Sequence, residues 1–205
     1  MNEEHVLSDL ERYGVLVDAG HVVYTSGKHG KMYFDKDKIY THALMTSNLC
    51  RIMAEQLAYL EPDMVIAPAM GGIILSQWMA YHLTNLCSRE VLSLYAEKRG
   101  DDKNFVIRPT FAKLISGKRV LVVEDVLTTG GSVEKVVWLT RSYGGKVASV
   151  AALINRGQVT KEQVGNVPKL LSLVNVSLEA WNPADCSLCK KNIPISKDLG
   201  KGKNQ

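Results

Sequence analysis

The segment from which the architecture follows is Val120-Leu121-Val122-Val123-Glu124-Asp125-Val126-Leu127-Thr128-Thr129-Gly130-Gly131-Ser132. Its four opening residues are apolar and mostly β-branched, which predicts a buried parallel strand over residues 120–123. An acidic pair and a Thr/Gly/Ser loop follow, and residues 133–141 predict a helix. Because ligands of open α/β sheets bind at the carboxyl ends of strands, this loop lies where such a site forms.

The chemistry of the segment suits a phosphorylated ribose. Residues 128–132 supply three hydroxyl donors and two glycines, which let the backbone approach an anion closely. The unpaired N–H groups at the start of the next helix point to the same place. Glu124 and Asp125 would repel a phosphate, but carboxylates accept hydrogen bonds well from a vicinal diol. The combination indicates a ribose 5-phosphate.

Two common nucleotide-binding motifs are absent from the sequence. A Walker loop would continue from the glycines with Lys and Ser or Thr, and no Gly-x-Gly-x-x-Gly of a dinucleotide fold occurs. The net charge of +4 is modest and its Lys and Arg residues are scattered, so we expect no nucleic-acid partner. No apolar run reaches about 18 residues and the acidic start lacks a signal sequence, so we expect a cytoplasmic protein without membrane segments.

Outside the central segment, short apolar runs alternate with helical patterns. The predicted strands are residues 64–67, 91–95, 120–123, 147–154 and 170–176, and the predicted helices are residues 4–17, 41–60, 71–86 and 133–141. Residues 21–34 predict a hairpin, and residues 96–109 a polar, mobile segment. This alternation predicts an α/β fold with a parallel twisted sheet flanked by helices.

Two further turns have residues suited to binding an anionic group. Met70-Gly71-Gly72 follows a predicted strand and opens a helix, which exposes backbone N–H groups and provides a second anion site. Asn155-Arg156-Gly157 ends the strand after the central helix, where the arginine is suited to a bidentate pair with a carboxylate.

The central segment resembles the signature of the type I phosphoribosyltransferases, which use phosphoribosyl diphosphate (PRPP). The resemblance implies that Glu124 and Asp125 hold the ribose hydroxyls and act in catalysis. It implies that the loop Val126, Leu127, Thr128, Thr129, Gly130, Gly131, Ser132 holds PRPP through its 5-phosphate, and that Met70, Gly71 and Gly72 contact the diphosphate. It also implies a single domain over residues 1–205, in which residues 1–40 and 177–205 form a hood.

Residues 20–34 narrow the resemblance to the orotate phosphoribosyltransferases. A Ser-Gly turn there precedes two aromatic residues that stand where the family lines its orotate site, which implies Tyr33 and Phe34 as orotate contacts. Thr128 and Arg156 match the other two positions that contact orotate in the family, which implies that Arg156 binds the carboxylate of orotate. One position departs from the family: Thr25 stands where many members have a diphosphate-contacting lysine.

Many orotate phosphoribosyltransferases carry a histidine in the catalytic loop, but here no histidine occurs between His82 and the C-terminus. Residues 95–108 instead resemble a shorter-loop branch of that family. Lys98, Arg99 and Lys103 are the implied loop cations for PRPP, with Lys98 catalytic. The implied reaction joins orotate and PRPP into orotidine 5′-monophosphate and diphosphate, in pyrimidine biosynthesis. Mg²⁺ is the implied cofactor, bound through the substrate diphosphate with no protein ligand assigned, and a homodimer is the implied assembly.

Two other functions remain open from the sequence. The same chemistry with a purine base such as xanthine keeps the PRPP site and changes the acceptor. The absence of a histidine from residues 95–108 is also compatible with a PRPP-sensing regulator that binds nucleic acid and has lost catalysis. Against it, residues 1–20 are too short for a helix-turn-helix domain.

We expect the four cysteines to be reduced thiols. Cys50 and Cys87 lie in apolar, helical patterns and are expected to be buried. Cys186 and Cys189 have the spacing of a zinc knuckle, but no second pair of Cys or His lies nearby in the sequence. A metal site there would need ligands from elsewhere in the chain or from another subunit.

Overall fold

A computed structural model describes residues 3–24, 26–100 and 104–200. The chain forms two compact units: the large unit is Tyr40–Val176, and the small unit combines residues 3–39 with residues 177–200. In chain order the elements are α1 (Glu3–Arg12), β1 (Leu16–Val23), β2 (His29–Phe34), α2 (Asp37–Thr41), α3 (Ala43–Leu57), β3 (Met64–Pro68), α4 (Gly71–Cys87), β4 (Leu92–Lys98), β5 (Phe105–Val106), α5 (Pro109–Ala112), β6 (Arg119–Leu127), α6 (Gly131–Ser142), β7 (Lys146–Asn155), β8 (Leu170–Asn175) and α7 (Ser187–Lys190).

The large unit is built on a six-stranded sheet with the order β5-β4-β3-β6-β7-β8. The strands from β4 to β8 pair in parallel, which confirms the predicted α/β fold. Residues 120–123 of β6 are completely buried in the middle of the sheet, as the β-branched run predicted. At one edge β5 pairs antiparallel with β4, so the sheet is mixed and mostly parallel.

That edge occupies part of the segment predicted to be polar and mobile. β4 continues to Lys98, and the chain returns as Phe105–Val106, with Arg99 N–H donating to Asn104 C=O at 3.1 Å. Arg108 then pairs with Glu97 across the hairpin. A two-residue strand closed by cross-strand contacts leaves no period-2 pattern long enough to detect. Lys103 lies outside the described residues.

The helix predicted over residues 41–60 is three elements. α2 ends at Thr41, α3 runs over Ala43–Leu57, and Ala58–Leu60 is a 3₁₀ turn. His42 between the helices has φ −110° and ψ 82°, so the backbone leaves helical geometry while the apolar spacing continues. Helix α6 starts two residues earlier than predicted, at Gly131. Among the described residues, no helix is both long and apolar enough to cross a membrane.

The small unit holds the predicted hairpin, β1 paired antiparallel with β2. The helix predicted over residues 4–17 was too long: α1 ends at Arg12, and Gly14 at φ +64° turns the chain into β1. Leu16 and Val17 instead pair with the far end of β2. The C-terminal part of the chain reaches the same hairpin, because the backbones of His29 and Trp181 exchange hydrogen bonds at 2.8 and 2.9 Å.

Candidate functional site

The acidic pair lies inside strand β6 and not after it. The ladder with β7 continues past both carboxylates, pairing Glu124 with Ala152 and Leu127 with Asn155. The prediction that the strand ends at Val123 was therefore wrong, because the parallel ladder to β7 extends it to Leu127. Strand alternation separates the two side chains, leaving Glu124 half-buried and Asp125 3% exposed.

Asp125 is held by donors on both carboxylate oxygens. Oδ1 accepts from Val126 N–H at 2.6 Å, and Oδ2 accepts from the hydroxyl of Tyr40 at 2.7 Å. Glu124 Oε1 accepts from Asp125 N–H at 3.0 Å. These bonds fix the orientation of both carboxylates, and carboxylate oxygens are acceptors suited to a ligand hydroxyl. Tyr40 gave no sequence signal, because it lies 85 positions from its partner.

The loop after β6 forms a cleft of about 150 Å³ lined by Glu124 and residues 126–133. Gly130 sits at the N-cap of α6 with φ +77°, a conformation that glycine adopts without strain. A Cβ there would lie 3.0 Å from methyl groups of Val159 and Val164, so the turn also needs the space. The cleft thus faces the N-terminus of a twelve-residue helix, a favourable place for a phosphate.

The end of β7 packs against the start of this loop. The N–H groups of Arg156 and Gly157 both donate to Leu127 C=O, at 2.9 and 3.0 Å. The Arg156 guanidinium donates to Thr128 Oγ1 at 3.3 Å, which brings together two of the residues predicted to contact orotate. A Cβ on Gly157 would lie 1.8 Å from the carbonyl oxygen of Thr128. Gly157 is therefore required for this approach, a role that its sequence position did not show.

The second glycine turn lies beside the acidic pair. A Cβ on Gly71 would lie 2.3 Å from the Tyr40 hydroxyl and 2.8 Å from Asp125 Oδ2. Met70 at the N-cap of α4 is 83% exposed, and the Ala69–Met70 peptide bond is cis. Met70–Gly72 and the central segment thus meet at one edge of the sheet, because they follow β3 and β6, which are neighbouring parallel strands.

Of the three predicted loop cations, the structure brings Lys98 to the central segment. A cleft of about 280 Å³ is lined by Lys98, Phe105, Thr129, Gly131, Ser132 and Lys135. Lys98 Nζ lies 5.9 Å from the centre of the Phe105 ring, so β5 supports the lysine side chain. Arg99 is exposed at the start of the turn, outside this lining. Lys135, on the first turns of α6, is a second cation here that sequence reasoning missed.

The aromatic residues predicted to contact orotate lie on β2 of the small unit. Phe34 is 5% exposed, whereas Tyr33 is half-buried. Neighbouring residues of a strand point to opposite faces, so the two rings do not share one face of the hairpin. Tyr33 is consequently the more accessible of the two side chains.

The fold and its cleft place the chain in a known class. The family model for the phosphoribosyl transferase domain matches residues 35–188, and the chain belongs to this family. Within the family it is similar to the orotate phosphoribosyltransferase of Desulforamulus reducens, with 36% identity over 197 residues that cover 96% of each chain.

Solved structures of the family share the fold. The Mycobacterium tuberculosis orotate phosphoribosyltransferase in complex with PRPP matches with a TM-score of 0.62 and 22% identity, over 84% of this chain and 96% of that chain. An adenine phosphoribosyltransferase from Thermoanaerobacter pseudethanolicus has the same TM-score at 20% identity, over 82% and 99%. Because the two enzymes use different bases, the fold does not distinguish the acceptor, and the full-length sequence similarity does.

Proposed function

We propose that this chain transfers the 5-phosphoribosyl group from PRPP to orotate, giving orotidine 5′-monophosphate and diphosphate. The observation that carries the proposal is the cleft in which the Glu124 carboxylate of β6 meets the N-terminus of α6, with the Asp125 carboxylate next to it in the strand and oriented by Tyr40. One side accepts hydrogen bonds from a diol and the other binds a phosphate, as a ribose 5-phosphate requires. The full-length similarity to an orotate phosphoribosyltransferase selects the base.

PRPP would then lie along the edge of the sheet where β3, β4 and β6 end. Glu124 and Asp125 accept hydrogen bonds from the ribose hydroxyls, and residues 128–132 bind the 5-phosphate. Gly71 lies against the Asp125 carboxylate, so the turn Met70–Gly72 is next to the proposed ribose position, where its backbone would contact the diphosphate. Lys98 lines the neighbouring cleft and provides positive charge for the anionic substrate. Arg99 and Lys103 are retained as further loop cations from the resemblance.

Orotate would be recognised by a paired arginine and hydroxyl. Arg156 is placed at the end of β7 by its backbone bond to Leu127, and its guanidinium contacts Thr128. The planar guanidinium of an arginine matches a carboxylate such as that of orotate in a bidentate pair. Tyr33 and Phe34 stay part of the proposal as aromatic contacts of orotate, from the resemblance alone.

The reaction needs positioning and charge stabilisation, not a covalent nucleophile. A ring nitrogen of orotate attacks the ribose C1 while diphosphate leaves, so positive charge develops on the ribose and negative charge on the leaving group. The acidic pair stabilises the positive charge on the ribose. Lys98 and the N–H groups of Met70–Gly72 stabilise the negative charge on the diphosphate. The carboxylates of Glu124 and Asp125 belong to the ligand class that Mg²⁺ prefers, and Mg²⁺ bound to PRPP would neutralise charge on the diphosphate. A homodimer and a cytoplasmic location complete the proposal.

The proposal is tested by following the absorbance of orotate with PRPP and Mg²⁺. Asp125→Asn keeps the size of the side chain but removes its charge, and we expect kcat/KM to fall about a hundredfold or more. Lys190→Ala, at an exposed position of the small unit, is the control and should retain wild-type activity. Equal losses in the two variants would contradict the assignment. Turnover of xanthine, hypoxanthine or adenine without turnover of orotate would replace the proposed acceptor with a purine.

A further inference from the structure

Four potential metal ligands converge in the small unit. They are His21, His29, Cys186 and Cys189, and one ligand atom from each lies within 4.8 Å of all the others. The two cysteines are not joined in a disulfide. We propose that these four residues form a structural zinc site of the Cys₂His₂ type.

The distances between the ligand atoms are close to those of a tetrahedral site. The separations are 3.3 Å for Cys189 Sγ to His29 Nδ1, 3.7 Å for Cys186 Sγ to His21 Nε2, and 3.8 Å for Cys189 Sγ to His21 Nε2. Zinc–sulfur and zinc–nitrogen bonds of ordinary length place neighbouring ligand atoms about 3.3–3.8 Å apart in a tetrahedron. The two histidine nitrogens, at 2.8 Å, need to separate by only about half an ångström to reach that spacing.

The surroundings of His21 select the nitrogen that faces the cluster. Its Nδ1 lies 2.7 Å from the carbonyl oxygen of Ile193, and a carbonyl oxygen only accepts, so Nδ1 carries the proton. Nε2 is then left with a lone pair directed at the two sulfur atoms. A histidine that donates its other N–H to a backbone carbonyl is the usual arrangement at zinc sites, because that bond fixes the ring and its tautomer.

Local structure brings each ligand pair together. His21 and His29 lie on the paired strands β1 and β2, next to the register pair Val22–Gly30. Cys186 is the N-cap of α7 and Cys189 lies one turn later, so the helical turn directs both sulfur atoms to the same side. His21 and Cys186 are at most 1% exposed, and His29 is 8% exposed, which keeps water from competing for a metal.

The small unit has a physical need for such a cross-link. It joins two remote parts of the chain, and its C-terminal part has only one 3₁₀ turn and the four-residue α7 among the residues described. Units of this size bury little apolar surface, and metals or disulfides commonly stabilise them. A zinc ion would tie the C-terminal part to the hairpin at a point that already holds the bridge between His29 and Trp181.

The direct test is the metal content of the full chain, purified without a histidine tag after expression in zinc-supplemented medium. We expect about one zinc ion per chain, measured by inductively coupled plasma mass spectrometry. Exchange of zinc for Co²⁺ should give the visible absorption of a tetrahedral site and thiolate-to-cobalt charge-transfer bands. Removal of zinc by a chelator should lower the midpoint of thermal unfolding.

Variants assign the metal to these ligands. Cys189→Ser, at the less buried sulfur position, should lose bound zinc and the cobalt charge-transfer bands, and Cys87→Ser in α4 should keep both. Wild-type protein with no zinc and no cobalt spectrum would overturn the proposal even where a variant fails to fold. So would a Cys186–Cys189 disulfide in the protein as isolated, or equal zinc loss in both variants. None of these readouts depends on orotate turnover, so the proposed activity is tested separately.

Discussion

The strongest steric requirement at the candidate site is the absence of a side chain on Gly157. In Gly157→Ala the new Cβ would lie 1.8 Å from the carbonyl oxygen of Thr128, whereas Cβ contacts below 3.0 Å essentially do not occur in proteins. The two backbones must therefore separate by at least about 1.2 Å. Since Gly157 is exposed and its neighbours in β6 are buried, the loop at Thr128 and the end of β7 have to absorb this shift.

A shift of this size has a predictable effect on catalysis. A misplacement of about 1 Å costs on the order of a hundredfold in rate, which corresponds to about 2.7 kcal/mol of transition-state stabilisation. We expect kcat/KM for PRPP to fall by that factor in Gly157→Ala, and KM for orotate to rise, because Thr128 and Arg156 both move. The assay is the loss of orotate absorbance at varied PRPP, with circular dichroism to establish that the variant is folded.

Gly117→Ala is the matched control. Gly117 has φ +76°, and a Cβ added there would meet no atom within 4 Å, so alanine strains the backbone by about 1 kcal/mol without displacing a neighbour. It should lower stability and leave kcat/KM unchanged. If folded Gly157→Ala protein keeps its activity within about threefold of wild type, the close approach of β7 to the loop does not position the substrate and the reasoning fails.

Three further outcomes are expected. Tyr40→Phe removes the hydroxyl that orients the Asp125 carboxylate and should weaken PRPP binding about tenfold, measured by calorimetry. Arg156→Lys keeps the charge but loses the guanidinium geometry, so KM for orotate should rise about tenfold or more while KM for PRPP stays constant in steady-state assays. Burial raises the pKa of the Cys50 thiol, so a thiol reagent should label it only after unfolding, and labelling of native protein at Cys50 by mass spectrometry would contradict the packing of α3.

The parts of the fold that could be predicted are those that depend on contiguous sequence. Val120–Val123 are apolar because β6 is buried on both faces, and the alternation of such runs with helical patterns is enough to predict a parallel sheet. The phosphate site proposed for residues 128–132 could be inferred for the same reason, since it would depend mostly on the backbone of the loop itself. Strand β5 was missed because two residues are too few to show the alternation of a strand. The end of helical geometry at His42 was missed because the apolar spacing continues through it.

Long-range contacts account for what the sequence did not show. The orientation of Asp125 depends on Tyr40, and the position of Thr128 depends on the missing side chain of Gly157. An acidic residue inside a buried strand is unfavourable unless it is hydrogen-bonded, and its partner comes from a different element of the large unit. The sequence therefore predicted a strand end at Val123, whereas the strand continues because Tyr40 and Val126 satisfy the carboxylate.

The cysteine pair is the extreme case of the same limitation. Cys186-x-x-Cys189 was expected to hold reduced thiols because its neighbourhood in sequence offers no second ligand pair, and the histidines that face it lie about 160 positions away. Their location also limits what a metal there does. Tyr33 is four positions along β2 from His29, about 13 Å in an extended strand. A zinc ion at the start of β2 would act on the strand through its anchoring, and its removal should be felt first as lost stability of the small unit.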